Sequence, residues 1–118
     1  MINQGDIYWL QLENPPELEP RIPHPHVVIQ DDVLNHSNHP TVTLCALTSN
    51  LTRISIPGNV LLEAGEANLP RQSLVEVSKL STVDKTYLGA YIGTLSAERI
   101  DQILAGIRFV QTSFFRAH

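Results

Sequence analysis

The stretch SAERIDQILAGIRFV, residues 96–110, predicts a long helix at the C-terminal end of the chain. Ser96 is a favourable N-cap, and Glu98 lies in the first turn, where the helix dipole favours a negative charge. Apolar residues then recur at helical spacing and form a stripe along one face: Ile100, Ile103, Leu104, Ile107 and Val110. Because a helix with one apolar stripe buries that stripe, the rest of the chain is expected to supply an apolar surface for it.

Upstream of this helix the sequence predicts short strands joined by long loops. Runs rich in β-forming residues indicate strands over residues 6–12, 26–30, 41–50, 57–64 and 73–82. The segment at 83–95 is mixed, and strands do not alternate with helices as they would in a layered α/β fold. We therefore expect a mainly β fold with a C-terminal helix, in which about five strands form a small, strongly bent barrel that the helix caps.

Length and composition indicate one globular domain over residues 1–118. The chain is 42% hydrophobic and 17% charged, which is ordinary for a folded soluble domain. It lacks an apolar run of membrane-spanning length, and its N-terminus lacks the features of a signal peptide. The single cysteine, Cys45, has no partner for an internal disulfide and lies in an apolar run. We expect a cytoplasmic protein that does not associate with membranes.

The net charge of −4 at pH 7 argues against a protein that binds nucleic acid non-specifically through charge. A local basic site remains compatible with this total, because net charge does not report where charges lie. The lysines and arginines are scattered along the chain. Folding would therefore have to assemble any basic site.

Residues 13–25, ENPPELEPRIPHP, contain five prolines and predict a long loop that is neither helix nor inner strand. Long loops in compact domains are often functional. This loop ends at His24 and Pro25, and His26 then begins an apolar strand. The two histidines are compatible with a proton-transfer pair, with a metal site, or with ordinary residues where a loop becomes a strand.

Three stretches in register resemble the MazF/PemK family, the toxins of type II toxin–antitoxin systems. They are GDIYWLQL at 5–12, PHVVIQDD with TVTLCALTS at 25–49, and SLVEVSKLSTVDK with LGAYIGTLS at 73–96. The similarity extends over residues 4–112. It implies an SH3-like barrel of the CcdB/MazF type, a homodimer, and sequence-specific endoribonuclease activity on single-stranded RNA such as mRNA. It also implies a MazE-like antitoxin partner that blocks the RNA groove.

The resemblance assigns catalytic roles to residues of the proline-rich loop and of the third strand. The family threonine at the end of that strand corresponds to Thr48, and an acidic loop residue corresponds to Glu19. The family arginine of an Arg-Pro pair is replaced here by His24, which precedes Pro25. Arg21, three residues upstream, is a candidate for the missing positive charge.

Metal-free cleavage of RNA uses the 2′-hydroxyl as nucleophile, and it needs a base, an acid and donors for the charged phosphorane. An arginine is a poor acid or base, whereas a histidine transfers protons near neutral pH. We therefore interpret His24 as an acid–base group and Thr48 as a hydroxyl donor to phosphate. Arg21 would supply charge, and Glu19 would orient Arg21 or accept a proton. No metal or other cofactor is expected.

Further residues are candidates for RNA binding: Arg53, Arg71, Ser78 and Lys79. Tyr8 and Trp9 would stack on bases or, alternatively, pack in the core or at a dimer contact. The family often has a basic residue just before the Thr-x-Asp motif, where this chain has Ser81, with Lys79 two residues earlier.

Two other functions stay open at this point. One is a binding protein on the same fold, either weakly active or inactive as a nuclease, which poisons a target as CcdB toxins do or only binds its antitoxin. The other is a metal-dependent hydrolase that uses the histidines, with the possible ligands His24, His26, Asp31, Asp32, His36 and His39.

Overall fold

The computed structural model describes residues 1–11 and 24–117, with side chains to residue 112, and shows a sheet with one long helix. The strands are β1 (Asp6–Leu10), β2 (Pro25–Val28), β3 (Thr41–Thr48), β4 (Val60–Leu62), β5 (Ser73–Asp84) and β6 (Leu88–Thr94). The helices are α1 (Asp32–Asn35) and α2 (Ala97–Ala117), and three 3₁₀ turns are formed by Leu51–Arg53, Glu66–Asn68 and Lys85–Tyr87. The predicted mainly β fold with a C-terminal helix is confirmed.

The strands form a single sheet in the order β4-β5-β3-β2-β1-β6, and every neighbouring pair is antiparallel. Two strands differ from expectation. β5 continues to Asp84, and β6 lies in the segment 83–95, for which the sequence predicted no single element. β6 is an edge strand with two glycines and few buried side chains, so it carries little of the alternation that identifies a strand. The described sheet therefore has six strands where about five were expected.

The sheet is not closed, because β4 and β6 are its two edges and do not pair with each other. The Glu66–Asn68 turn, which lies between β4 and β5, contacts β6 instead. The Asn68 side-chain amide donates to the carbonyl of Ile92 at 3.0 Å. Gly93 lies so close to this turn that a Cβ there would be 2.2 Å from the Ala67 oxygen. A loop contact thus replaces the strand pairing that would complete a barrel.

Helix α2 covers the apolar side of the sheet with the stripe predicted from its sequence. Ile103 and Ile107 are buried among Val75, Val77 and other strand residues, and Ile100 and Val110 are half-buried against the same cluster. The Ser96 hydroxyl accepts from the Arg99 amide at 3.2 Å, which confirms Ser96 as the N-cap. Among the described residues no helix is both long and apolar enough to cross a membrane.

Helix α2 approaches the backbone of the β3–β4 loop at one glycine. A Cβ built on Gly106 would lie 2.2 Å from the carbonyl oxygen of Gly58, which is closer than real Cβ contacts come. Gly58 itself has φ +94, a conformation that favours glycine. The helix therefore seats against this loop only because position 106 lacks a side chain.

We predict that Gly106→Ala destabilises the protein. Glycine to alanine in a helix normally stabilises by about 1 kcal/mol. Here the new methyl group would collide with the main chain at Gly58, which cannot move aside by a change of side-chain rotamer. Overpacking of this kind costs about 1–3 kcal/mol. Chemical denaturation measures the free energy of unfolding.

The matched control is Ala105→Gly at the neighbouring exposed position of the same helix. This substitution changes helix propensity alone and is expected to lower the free energy of unfolding by about 1 kcal/mol. A gain in stability for Gly106→Ala would contradict the close contact between helix and loop.

Candidate functional site

A large irregularity between β3 and β5 shapes the site. Cys45 pairs with Leu80, but Leu47, two residues on, pairs with Val75. Residues 76–79 therefore bulge from β5 opposite Ala46 alone, and bulges of this kind re-aim side chains. Two contacts hold the bulge: Cys45 Sγ donates to the Glu76 carbonyl at 2.9 Å, and the Val77 amide donates to Asn59 Oδ1 at 3.1 Å.

The bulge forms one wall of a cleft of about 240 Å³, which we call the Glu76 cleft. Its polar lining comes from four separate parts of the chain: His24, Thr48, Asn50, Arg53, Glu76 and Lys79. His24 is exposed just before β2, Thr48 ends β3, and Arg53 ends the Leu51–Arg53 turn. Four residues predicted from sequence, His24, Thr48, Arg53 and Lys79, thus line one cleft.

Glu76 is the acidic residue of this cleft, and it lies between two cations. Its side chain is 8% exposed, and its two carboxylate oxygens lie 3.7 Å from Arg53 Nη1 and 3.1 Å from Lys79 Nζ. The side chains of Arg53 and Lys79 are 56% and 53% exposed. A buried carboxylate needs such partners, whereas exposed cations are solvated without it. The pairs therefore do more to accommodate Glu76 than to stabilise the fold.

Local hydrogen bonds set the position of Thr48 and of Arg53. Thr48 Oγ1 accepts from the Asn50 amide at 3.1 Å, and Asn50 Oδ1 in turn accepts from the Thr52 amide at 3.1 Å to begin the Leu51–Arg53 turn. Because the Thr48 oxygen is the acceptor in this contact, its hydroxyl hydrogen is available to donate to a ligand. This is the chemistry expected of a residue that contacts phosphate.

Asn59 joins the two halves of the cleft. Its side-chain nitrogen donates to the Arg53 carbonyl at 3.3 Å, and its side-chain oxygen accepts from the Val77 amide at 3.1 Å. One amide side chain thus ties the turn that carries Arg53 to the bulge that carries Glu76. Asn59 could not be singled out from the sequence, because its contact with Val77 joins residues 18 positions apart.

A second cleft, of about 230 Å³, shares the His24 and Thr48 wall and extends to the other side of it. We call it the Trp9 cleft, and Pro70 and Arg71 also line it. Trp9 is 37% exposed there, which agrees with a base-stacking position better than with a core position. His24 and Thr48 line both clefts, and cationic residues line each of them: Arg53 and Lys79 the Glu76 cleft, and Arg71 the Trp9 cleft.

The other candidates from the sequence lie elsewhere. Ser78 is exposed on β5 and lines neither cleft. Glu19 and Arg21 lie outside the described residues. His26 is half-buried in β2, and its Nδ1 donates to the carbonyl of His24 at 2.9 Å. Burial lowers the pKa of His26, which favours a neutral ring with a structural role.

The candidate metal ligands do not come together in the described part of the chain. Within residues 1–11 and 24–117 no group of three or more His, Cys, Asp or Glu side chains is arranged to hold a metal ion. His36 contacts Asn3 Oδ1 at 2.8 Å, and His39 contacts Thr41 Oγ1 at 3.1 Å. Both therefore take part in loop hydrogen bonds near the chain surface.

Glu76 is the site residue that sequence reasoning missed. A signal was present, since Glu76 is the one charged residue within the apolar run SLVEV at 73–77. A charge in such a run is rarely buried without a partner. Its partner Arg53 lies in another loop, so the cluster becomes visible only when the register of β3 and β5 is known.

Comparison with known proteins identifies the family of this chain. Residues 3–110 match the model of the PemK-like, MazF-like toxins of type II toxin–antitoxin systems. The chain belongs to this family. It is 36% identical over 110 residues to endoribonuclease MazF6 of Mycobacterium tuberculosis and to endoribonuclease MazF2 of Mycobacterium bovis. Each match covers 93% of this chain and 96% of the relative.

Solved structures support the fold of this MazF-like toxin. A mycobacterial endoribonuclease in complex with its cognate antitoxin superposes with a TM-score of 0.75 at 20% identity, over 95% of this chain and 96% of that one. Mycobacterium tuberculosis toxin MazF-mt6 superposes with a TM-score of 0.68 at 20% identity, over 86% and 91% of the two chains. The predicted membership of the MazF/PemK family is confirmed.

The environment of Cys45 generates a prediction about its reactivity. Cys45 is fully buried, and burial, together with the negative charge of Glu76, raises the pKa of its thiol to about 12. A thiol stays protonated below its pKa, and the thiolate is the reactive form. We expect iodoacetamide at pH 8 to leave Cys45 unmodified in the native protein and to alkylate it fully in denaturant. Mass spectrometry distinguishes the two states, and rapid alkylation of native protein would contradict the buried placement.

Proposed function

We propose that this MazF-like toxin, an endoribonuclease by family, cleaves single-stranded RNA at the Glu76 cleft without a metal ion. The observation that carries the proposal is that His24 and Thr48 line one cleft with Arg53 and Lys79. That set supplies a proton-transfer group, a hydroxyl donor and two cations for a phosphate. Metal-free cleavage of RNA needs these groups and no others besides a second proton-transfer group.

Some residues of the cleft would stabilise charge, and His24 would transfer a proton. The scissile phosphate would occupy the cleft between the exposed cations Arg53 and Lys79, which attract its negative charge. Thr48 would donate its hydroxyl hydrogen to a non-bridging oxygen and stabilise the phosphorane as charge develops there. His24 would perform one of the two proton transfers, which an arginine at the same position could not do efficiently.

The remaining candidates belong to the same proposal. The family pattern supports Arg21 as a further cation and Glu19 as its partner or as a proton acceptor, although both lie outside the described residues. Bases flanking the scissile phosphate would enter the Trp9 cleft, where Trp9 offers a stacking face and Arg71 a charge. Ser78 would contact RNA from the exposed side of β5. The contacts in the Trp9 cleft would contribute to sequence specificity.

The expected partners follow from family membership. One structural neighbour was solved in complex with its cognate antitoxin. We infer that this chain likewise has a MazE-like antitoxin, whose chain would block the RNA groove, and that it acts on mRNA in the cytoplasm as a homodimer. A target-poisoning role has no specific observation in its favour.

Thr48→Ala and His24→Ala are expected to remove most RNA cleavage while the protein stays folded. Loss of a donor to developing charge costs about 100- to 1,000-fold in rate, and loss of a proton-transfer group costs about 100- to 10,000-fold. Cleavage of a single-stranded RNA is followed on gels, and circular dichroism reports folding.

Matched controls are Thr43→Ala, on the same strand outside both clefts, and His39→Ala, in an exposed loop. Both are expected to cleave like the parent. Thr48→Ser should be much more active than Thr48→Ala, because serine keeps the hydroxyl. Parental cleavage by Thr48→Ala or His24→Ala would refute the placement of the site.

The role of His24 predicts a change in pH dependence. If its imidazole transfers a proton, the pH profile of the cleavage rate has a limb that reports protonation of that ring. His24→Arg restores the family residue and is expected to abolish that limb, since a guanidinium stays protonated. Rates are measured from acidic to alkaline pH at constant ionic strength. Superimposable profiles for parent and His24→Arg would show that His24 performs no proton transfer.

A further inference from the structure

We propose that Glu76 is the base that accepts the 2′-hydroxyl proton and that His24 is the acid that protonates the leaving oxygen. This inference rests on the proposed ribonuclease function and assigns its second proton-transfer group. The family pattern offers Glu19 for that role. The described cleft contains a different carboxylate, on β5.

The position of Glu76 supports this assignment. Glu76 and His24 line the same cleft of about 240 Å³, together with Thr48 and the cations Arg53 and Lys79. A phosphate and its flanking sugar atoms fit a space of this size. In the proposed arrangement Glu76 would face the entering 2′-oxygen and His24 the departing 5′-oxygen.

The charge balance of the cleft argues against roles in binding or stability alone. A site meant only to bind phosphate would bind it more tightly without Glu76, because the carboxylate offsets one of the two neighbouring positive charges. The fold does not require Glu76 either, since Arg53 and Lys79 are more than half exposed and solvated on their own. Burying this carboxylate is costly, and a proton-transfer role accounts for that cost.

The proposed step is a transesterification at the scissile phosphate. The Glu76 carboxylate takes the proton of the 2′-hydroxyl, and the 2′-oxygen forms a bond to phosphorus. The bond between phosphorus and the 5′-oxygen breaks, and protonated His24 gives its proton to that oxygen. The products are a 2′,3′-cyclic phosphate and a 5′-hydroxyl. Arg53, Lys79 and the Thr48 hydroxyl stabilise the charge on the phosphorane.

Several charged or titratable groups surround Glu76 among the described residues. They are Arg53 from the turn after β3, Lys79 from the bulge, His24 before β2 and Cys45 from β3. Burial and the negative charge of Glu76 raise the pKa of the Cys45 thiol to about 12. His24 and Glu76 are the two groups whose replacement the pH profiles compare.

The test is Glu76→Gln, which keeps shape and removes the charge. With a single-stranded RNA oligonucleotide that the parent cuts, cleavage is expected to fall by about 100- to 10,000-fold. The acidic limb of the pH profile should disappear while the His24 limb remains. Binding of the same oligonucleotide with a 2′-deoxy sugar at the cut position, which cannot react, should be equal or tighter. Glu76→Asp should recover part of the rate together with the acidic limb.

The matched control is Glu98→Gln, the same change on an exposed residue of α2, which should leave cleavage unchanged. Three outcomes would overturn the proposal. Cleavage by Glu76→Gln within about threefold of the parent would place the base elsewhere. A reduced rate with both limbs kept would make Glu76 a positioning residue, and loss of binding to the 2′-deoxy oligonucleotide would make it part of the binding site. Failure of the parent itself to cut RNA would instead refute the proposed function.

Discussion

The pairing of β3 with β5 is the contact on which the candidate site depends. It is continuous at both ends, but between Cys45 and Leu47 the register jumps so that residues 76–79 oppose a single residue. This bulge turns Glu76 and Lys79 toward the end of β3, where Thr48 lies. Regular pairing would send alternate side chains to opposite faces and would separate these groups. Cys45 and Asn59 hold the bulge through contacts to the backbone, so the chemistry of the cleft depends on residues that do not face it.

The fold also gathers cationic side chains at neighbouring clefts of an acidic protein. The chain has a net charge of −4, and its cations are scattered in sequence. Folding nevertheless places Arg53 and Lys79 at one cleft and Arg71 at a second cleft, and His24 and Thr48 line both. In the proposed function, His24 stands where the resemblance expects an arginine and would transfer protons, which a fixed charge could not do efficiently. Arg53 and Lys79 would then hold the phosphate.

The parts of the fold that could be predicted are those that local sequence patterns specify. The stripe from Ile100 to Val110 and the cap at Ser96 identified helix α2, and resemblance to the family identified Thr48 and His24. The edge strand β6 was missed because it has little alternation of buried and exposed residues. The bulge and the Glu76 cluster were missed because they arise from register, which joins Cys45 to a residue 31 positions away. The open edges of the sheet could not be predicted for the same reason, since the contact of Asn68 with β6 joins residues 24 positions apart.

The central claim is that the Glu76 cleft cuts RNA with side chains alone. The most direct test is to incubate the purified protein with single-stranded RNA in excess EDTA and to determine the chemistry of the new ends. We predict undiminished cleavage that leaves 2′,3′-cyclic phosphate and 5′-hydroxyl ends. Cleavage that stops when the metal is chelated, or that leaves 5′-phosphate ends, would contradict it.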